Sequence, residues 1–187
     1  IMAITRLGPN QSVNLANNVT GTLPAANVAN STLNNVTALP AAIATGKIKQ
    51  VVNSVYSTVA NFTSGSYTDV GLTANITPSS SSNKVLIILN VQIGKGGGSH
   101  SHHGNIKLLR DSTELNPEGS EILDSLAYDD TAGYLYPGSA SVHYLDTPNT
   151  LSQITYKIQA MRAGNSGTFT CQPDGSASSM TLMEVVS

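Results

Sequence analysis

From Lys47 onward, no apolar stretch has helical period and helical length together. The apolar residues come in short β-branched or alternating runs, each closed by Gly, Pro, Ser or Asn. Such a chain is restricted to antiparallel β architectures. Val51–Val59 stops before Ser64-Gly65-Ser66. Tyr67–Thr77 alternates and stops at Pro78, and Ser79–Asn83 reads as a polar turn. Lys84–Ile93 is the most apolar run and is expected to be a central strand buried on both faces. Gly94–Gly98 reads as a flexible loop. Asn105–Arg110 and Thr113–Leu115 flank Asp111-Ser112 as a tight hairpin. Residues 116–132 read as a polar, acidic loop with a helical turn over Glu121–Leu126. Further strands are expected at 139–145, 153–161, 167–172 and 179–186. Eight or nine closely spaced strands predict a β-sandwich of jelly-roll type over residues 47–187.

Residues 1–46 differ in kind. Arg6 is their one charged residue, prolines stand at 9, 24 and 40, and Asn17–Ala26 is echoed by Asn34–Ala42. Two copies are too few for a solenoid, and neither has the apolar area for its own core. Regular apolar residues without a core predict an extended segment that packs against other copies or another protein. The whole chain is 11% charged, against roughly 25% in ordinary soluble domains. A net charge of −2 and a pI near 6.0 offer no basic face for nucleic acid. No run approaches the ~18 apolar residues that would insert into a membrane. Met2 reads as an initiator, and the residues after it lack the apolar run of a signal peptide.

Candidate chemistry is sparse. Cys171 stands alone in the alternating run Thr168–Cys171 and reads as a small buried hydrophobe. His100, His102 and His103 lie in a glycine-flanked stretch. In a strand His100 and His102 would share a face, and three copies on a threefold axis would bring six imidazoles to a first-row metal. The plainer reading is an exposed loop that contacts solvent, a partner or a receptor. His143 reads as a packed strand residue rather than a catalytic base. Acids gather at Glu114, Glu118, Glu121, Asp124, Asp129 and Asp130. Two of them across a sugar site could do glycosidase work. Tyr128, Tyr134 and Tyr136 are the only aromatics nearby, so a solvated or recognition loop is the simpler expectation. No P-loop, nucleophile elbow or paired-cysteine motif occurs, and no cofactor is expected.

Several stretches resemble tail-fibre-type virion appendage proteins of marine bacteriophages. These are Ile4–Leu15 with Asn18–Pro24, Thr68-Asp69-Val70 with Ile76–Leu86, Leu108–Thr113, Leu145–Pro148 and Met180–Val185. The resemblance covers most of the chain except 94–104 and 116–138, and it transfers no catalytic residue. It implies a virion protein, trimeric, with loops facing the host. The expectation is therefore an all-β, jelly-roll-like antiparallel sandwich head over 47–187, preceded by an extended attachment and trimerisation segment over 1–46. The homotrimer would meet other virion proteins through 1–46. It would meet a host glycan or outer-membrane protein through His103, Glu118, Glu121, Tyr128, Asp129, Tyr134 and Tyr136. A purely architectural capsid or collar decoration and a host-polysaccharide depolymerase are the competing classes.

Overall fold

The computed structural model describes residues 47–96, 103–115, 122–125, 138–164 and 167–186. The expectations for 1–46 lie outside them. The strand segments are β1 (Ile48–Tyr56), β2 (Ala60–Phe62), β3 (Thr68–Ile76), β4 (Lys84–Gly96), β5 (His103–Arg110), β6 (Thr113–Glu114), β7 (Leu123–Ser125), β8 (Gly138–Asp146), β9 (Ile154–Ala163), β10 (Thr168–Cys171) and β11 (Ser178–Val185). Every pairing between them is antiparallel.

They form two sheets. In the first, β1 pairs β11, β11 pairs β4, and β8 lies along the other side of β4. The pairs β2–β10 and β10–β4 continue the same rows. β1 and β2 are thus one interrupted strand. So are β10 and β11, which are separated by the tight turn Pro173–Gly175. In the second sheet β3 pairs β9, β9 pairs β5, and β6 and β7 share the outer edge of β5. Numbered along the chain, the rows run 1-8-3-6 in one sheet and 2-7-4-5 in the other. That order is the jelly roll, in which two Greek keys fold over one core. The all-β jelly-roll sandwich is therefore the fold of the described residues.

Strict alternation builds the core. Val70, Leu72, Ala74 and Ile76 of β3 face inward, as do Val85, Ile87, Leu89 and Val91 of β4. Ile106 and Leu108, Ile154, Tyr156 and Ile158, and Met180 and Leu182 meet them. The hairpin at Asp111-Ser112 forms as expected, with Asp111 in the left-handed region at φ 54°.

Three expectations change. β4 is central in its sheet but buried on one face only; on the other side Leu86 is half-buried and Ile88 is 42% exposed. The supposed loop at Gly94–Gly98 continues β4 through Gly96, because Gly94 and Gly96 pair with Thr170 and Thr168. Leu123–Ser125 is strand, not helix, because the free edge of β5 captures it from Gly104 to Ile106.

One close approach fixes how the sheets meet. A Cβ on Gly104 would lie inside the van der Waals envelope of the Phe169 ring, which is fully buried. Gly104→Ala is therefore expected to lose about 2 kcal/mol, because overpacking a filled core forces a buried ring from its place. Equilibrium urea unfolding checks it, and an unchanged midpoint would contradict it.

Candidate functional site

The strand ends sort the connections into two poles. At one pole the chain enters the sandwich at Lys47, whose carbonyl accepts a 2.7 Å hydrogen bond from the Val186 amide. The Ser79–Asn83 turn, the Asp111-Ser112 turn and residues 147–153 lie at the same end. At the opposite pole Gly96 pairs with Thr168, His103 with Ala163, Gly104 with Ser125 and Ile93 with Gly138. The flanks of 97–102 and 126–137 therefore converge there. The Arg162 amide donates to the Ser64 carbonyl at 3.0 Å, which brings two further connections to this pole.

The first pole is closed by two polar clamps. Glu184 follows Met180 and Leu182 on the inward phase of β11 and is fully buried. Its carboxylate accepts from Gln50 Nε2 at 2.7 Å, Ser79 N at 2.6 Å, Ser79 Oγ at 2.7 Å and Asn83 Nδ2 at 2.6 Å. Gln50 Nε2 also donates to the Thr77 carbonyl at 2.6 Å. One carboxylate thus fastens β1, the β3–β4 turn and β11 together. Burial alone would raise its pKa, but the donors from Asn83, Ser79 and Gln50 outweigh burial and hold it down at about 2.

The second clamp joins the sheets. Arg110, the last residue of β5, places Nη1 at 2.9 Å from both oxygens of Asp146, the last residue of β8. The buried Tyr156 hydroxyl donates to the same carboxylate at 2.6 Å. Burial, then the hydrogen bond and charge of Asp146, hold the Tyr156 phenol well above its ordinary range. These groups are consumed by one another, so the arrangement holds corners rather than presenting a reactive atom.

The chemical candidates fall out differently. Cys171 is fully buried on β10, and burial pushes its thiol up to about 12. A maleimide reagent is expected to leave the folded chain unlabelled at neutral pH and to modify one thiol in denaturant. Prompt labelling of the native chain would contradict that burial. His143 is on a strand as expected, but it is exposed on the outer face of the first sheet rather than packed. His103 begins β5, half-buried, at the second pole. Glu114 is half-exposed and pairs with Lys107 at 2.7 Å, and Lys107 lies 4.4 Å above the Tyr67 ring. His100, His102, Glu118, Glu121, Tyr128, Asp129, Asp130, Tyr134 and Tyr136 lie outside the described residues, and so does the metal arrangement expected of the histidines.

None of the clamp residues is among the site residues expected from the sequence. One signal for them exists in the sequence: Glu184 and Asp146 sit where the alternation of their strands calls for an apolar inward residue.

No family model and no curated protein matches the chain. Among solved structures, the crystal structure of the T13 infectious bursal disease virus particle overlaps it with a TM-score of 0.45 at 11% identity, covering 74% of this chain and 36% of that one. The structure of the infectious bursal disease virus Gt strain overlaps it with a TM-score of 0.33 at 11% identity, covering 74% and 38%. The chain therefore spans little more than a third of the length of either viral chain, and both overlaps are loose.

Proposed function

We propose that the chain is a non-enzymatic virion structural protein of the fibre or appendage type. In this reading residues 1–46 attach a homotrimer to other virion proteins, and the jelly-roll head presents its loops to a host glycan or outer-membrane protein. The observation that carries the reading is the separation of the poles. The chain enters at the clamped end, while the flanks of 97–102 and 126–137 converge at the other. Attachment at one end and connections gathered at the other end of a rigid scaffold is the arrangement a recognition appendage needs. A second support comes from the motifs behind the resemblance. Ile76–Leu86 and Met180–Val185 contribute Ser79, Asn83 and Glu184 to one clamp. Leu108–Thr113 and Leu145–Pro148 contribute Arg110 and Asp146 to the other. In this reading, what these stretches have in common with such appendage proteins is scaffold rather than chemistry. Binding would be weak per head and strengthened by several heads acting together.

Adsorption competition with the purified full chain tests the reading. Dose-dependent block of virus adsorption to host cells is the expected result. A chain that neither binds cells nor blocks adsorption leaves the architectural decoration in its place. Steady release of sugar from host polysaccharide would replace it with the depolymerase.

A further inference from the structure

The two sheets present opposite kinds of outer face. On the second sheet four outer positions carry charges that pair with one another. Lys157 Nζ lies 3.1 Å from Asp69, and Lys107 Nζ lies 2.7 Å from Glu114. On the first sheet, register places Val51, Met183, Leu86 and Leu145 in one row across all the strands. The next rows are Asn53–Thr181–Ile88–His143 and Val55–Ser179–Asn90–Ser141. Val51 is 56% exposed, Leu145 50% and Val55 60%. No carboxylate stands in these rows, and the lysines Lys49 and Lys84 lie beyond them at the clamped end.

We propose that this face is buried against the same face of a second copy of the chain. A face laid on its own kind is a twofold contact, so it pairs heads two by two rather than closing the homotrimer of the previous section, and it rests on that reading only for copies of the chain being held together. Three observations favour a copy as the occupant. First, β4 has the composition of a strand covered on both sides, with Leu86 and Ile88 alternating with the core residues Val85, Ile87 and Leu89. Nothing among the described residues covers that second side. Second, the three rows hold no fixed charge, so laying the face on itself brings no like charges together across them, whereas the paired ions of the other sheet keep that side in water. Third, four strands about 4.8 Å apart and three rows about 6.8 Å apart project roughly 400 Å² a side, the size of a weak contact that copies already held together can make. Sheets stack face to face about 10 Å apart in sandwich cores, and this contact would repeat that packing between molecules.

Site-directed crosslinking of the full chain is the test. Cys171 is buried, so a cysteine placed at Ile88 is the only one a short bismaleimide can reach. Ile88→Cys is expected to give a product of twice the chain mass. Thr73→Cys, on the outer face of the other sheet, is expected to give none. Adding Val51→Glu and Leu145→Glu should abolish the Ile88→Cys product while leaving the circular dichroism and melting temperature of the head in place. If light scattering shows an oligomer but Ile88→Cys crosslinks no more than Thr73→Cys, the face is wrong and the oligomer stands. If the chain scatters as 19.4 kDa at all concentrations, both fall.

Discussion

Glu184→Ala is expected to destabilise the head by about 3 kcal/mol, because four donated hydrogen bonds lose their acceptor at once. The loss is large because the donors are not free to regroup. Ser79 and Asn83 are held by the turn between β3 and β4, and Gln50 by β1. Glu184→Gln is expected to recover only part of it, since an amide brings a further N–H into a ring of N–H and O–H donors. The same cluster sets an acid limit on stability. The folded carboxyl titrates at about 2 against an ordinary value of 4.5. A depressed folded pKa means the stabilisation is fully present above pH 4.5 and disappears as pH falls from there toward 2. Urea midpoints measured down that range should fall steeply for the wild type and less steeply for Glu184→Gln. Parallel pH profiles would contradict the assignment.

Asp146→Ala should have an effect of similar size, about 3 kcal/mol, for a different reason. It strands a guanidinium and a buried phenol that share one carboxylate. Tyr156→Phe removes only one neutral donor and is expected to cost about 1 kcal/mol. Because the groups act as a unit, combining Asp146→Ala with Tyr156→Phe should cost less than the two single changes added together. Strict additivity in urea unfolding would show that the hydroxyl and carboxylate are not coupled. Since this clamp joins the last residues of β5 and β8, its loss should also raise amide exchange at the adjoining strand ends before the centre of β4 is affected.

Much of the scaffold was legible because alternation and turn residues are local signals. β3 reads correctly from Thr68 to Ile76 because every second residue is apolar and Pro78 follows. β8, β9, β10 and β11 fall close to their expected ranges for the same reason. The errors arose where non-local contacts decide. Leu123–Ser125 has no pattern of its own and becomes strand through the edge of β5. Gly94–Gly96 has a loop composition, but β10 supplies it with hydrogen-bond partners. Ile88 reads as doubly buried because it stands in an apolar run, whereas the described residues cover only one face of β4. The clamps stayed hidden because Asn83 and Glu184 are 101 residues apart and Arg110 and Asp146 are 36 apart, distances that only topology closes. Of the candidate site, His103 is placed at the pole opposite the clamps, while the remaining recognition residues lie outside the described segments.

The proposed function places this jelly roll on a virus particle, attached through its clamped end. Immunogold electron microscopy tests it most directly, using antibody raised against residues 47–187 and particles purified from the culture that makes the protein. Gold at a fixed, repeated position on the particle surface is the expected result, with the label lost when the antibody is first absorbed with the head. Particles that carry no label, with the protein recovered only in the particle-free fraction, would contradict it.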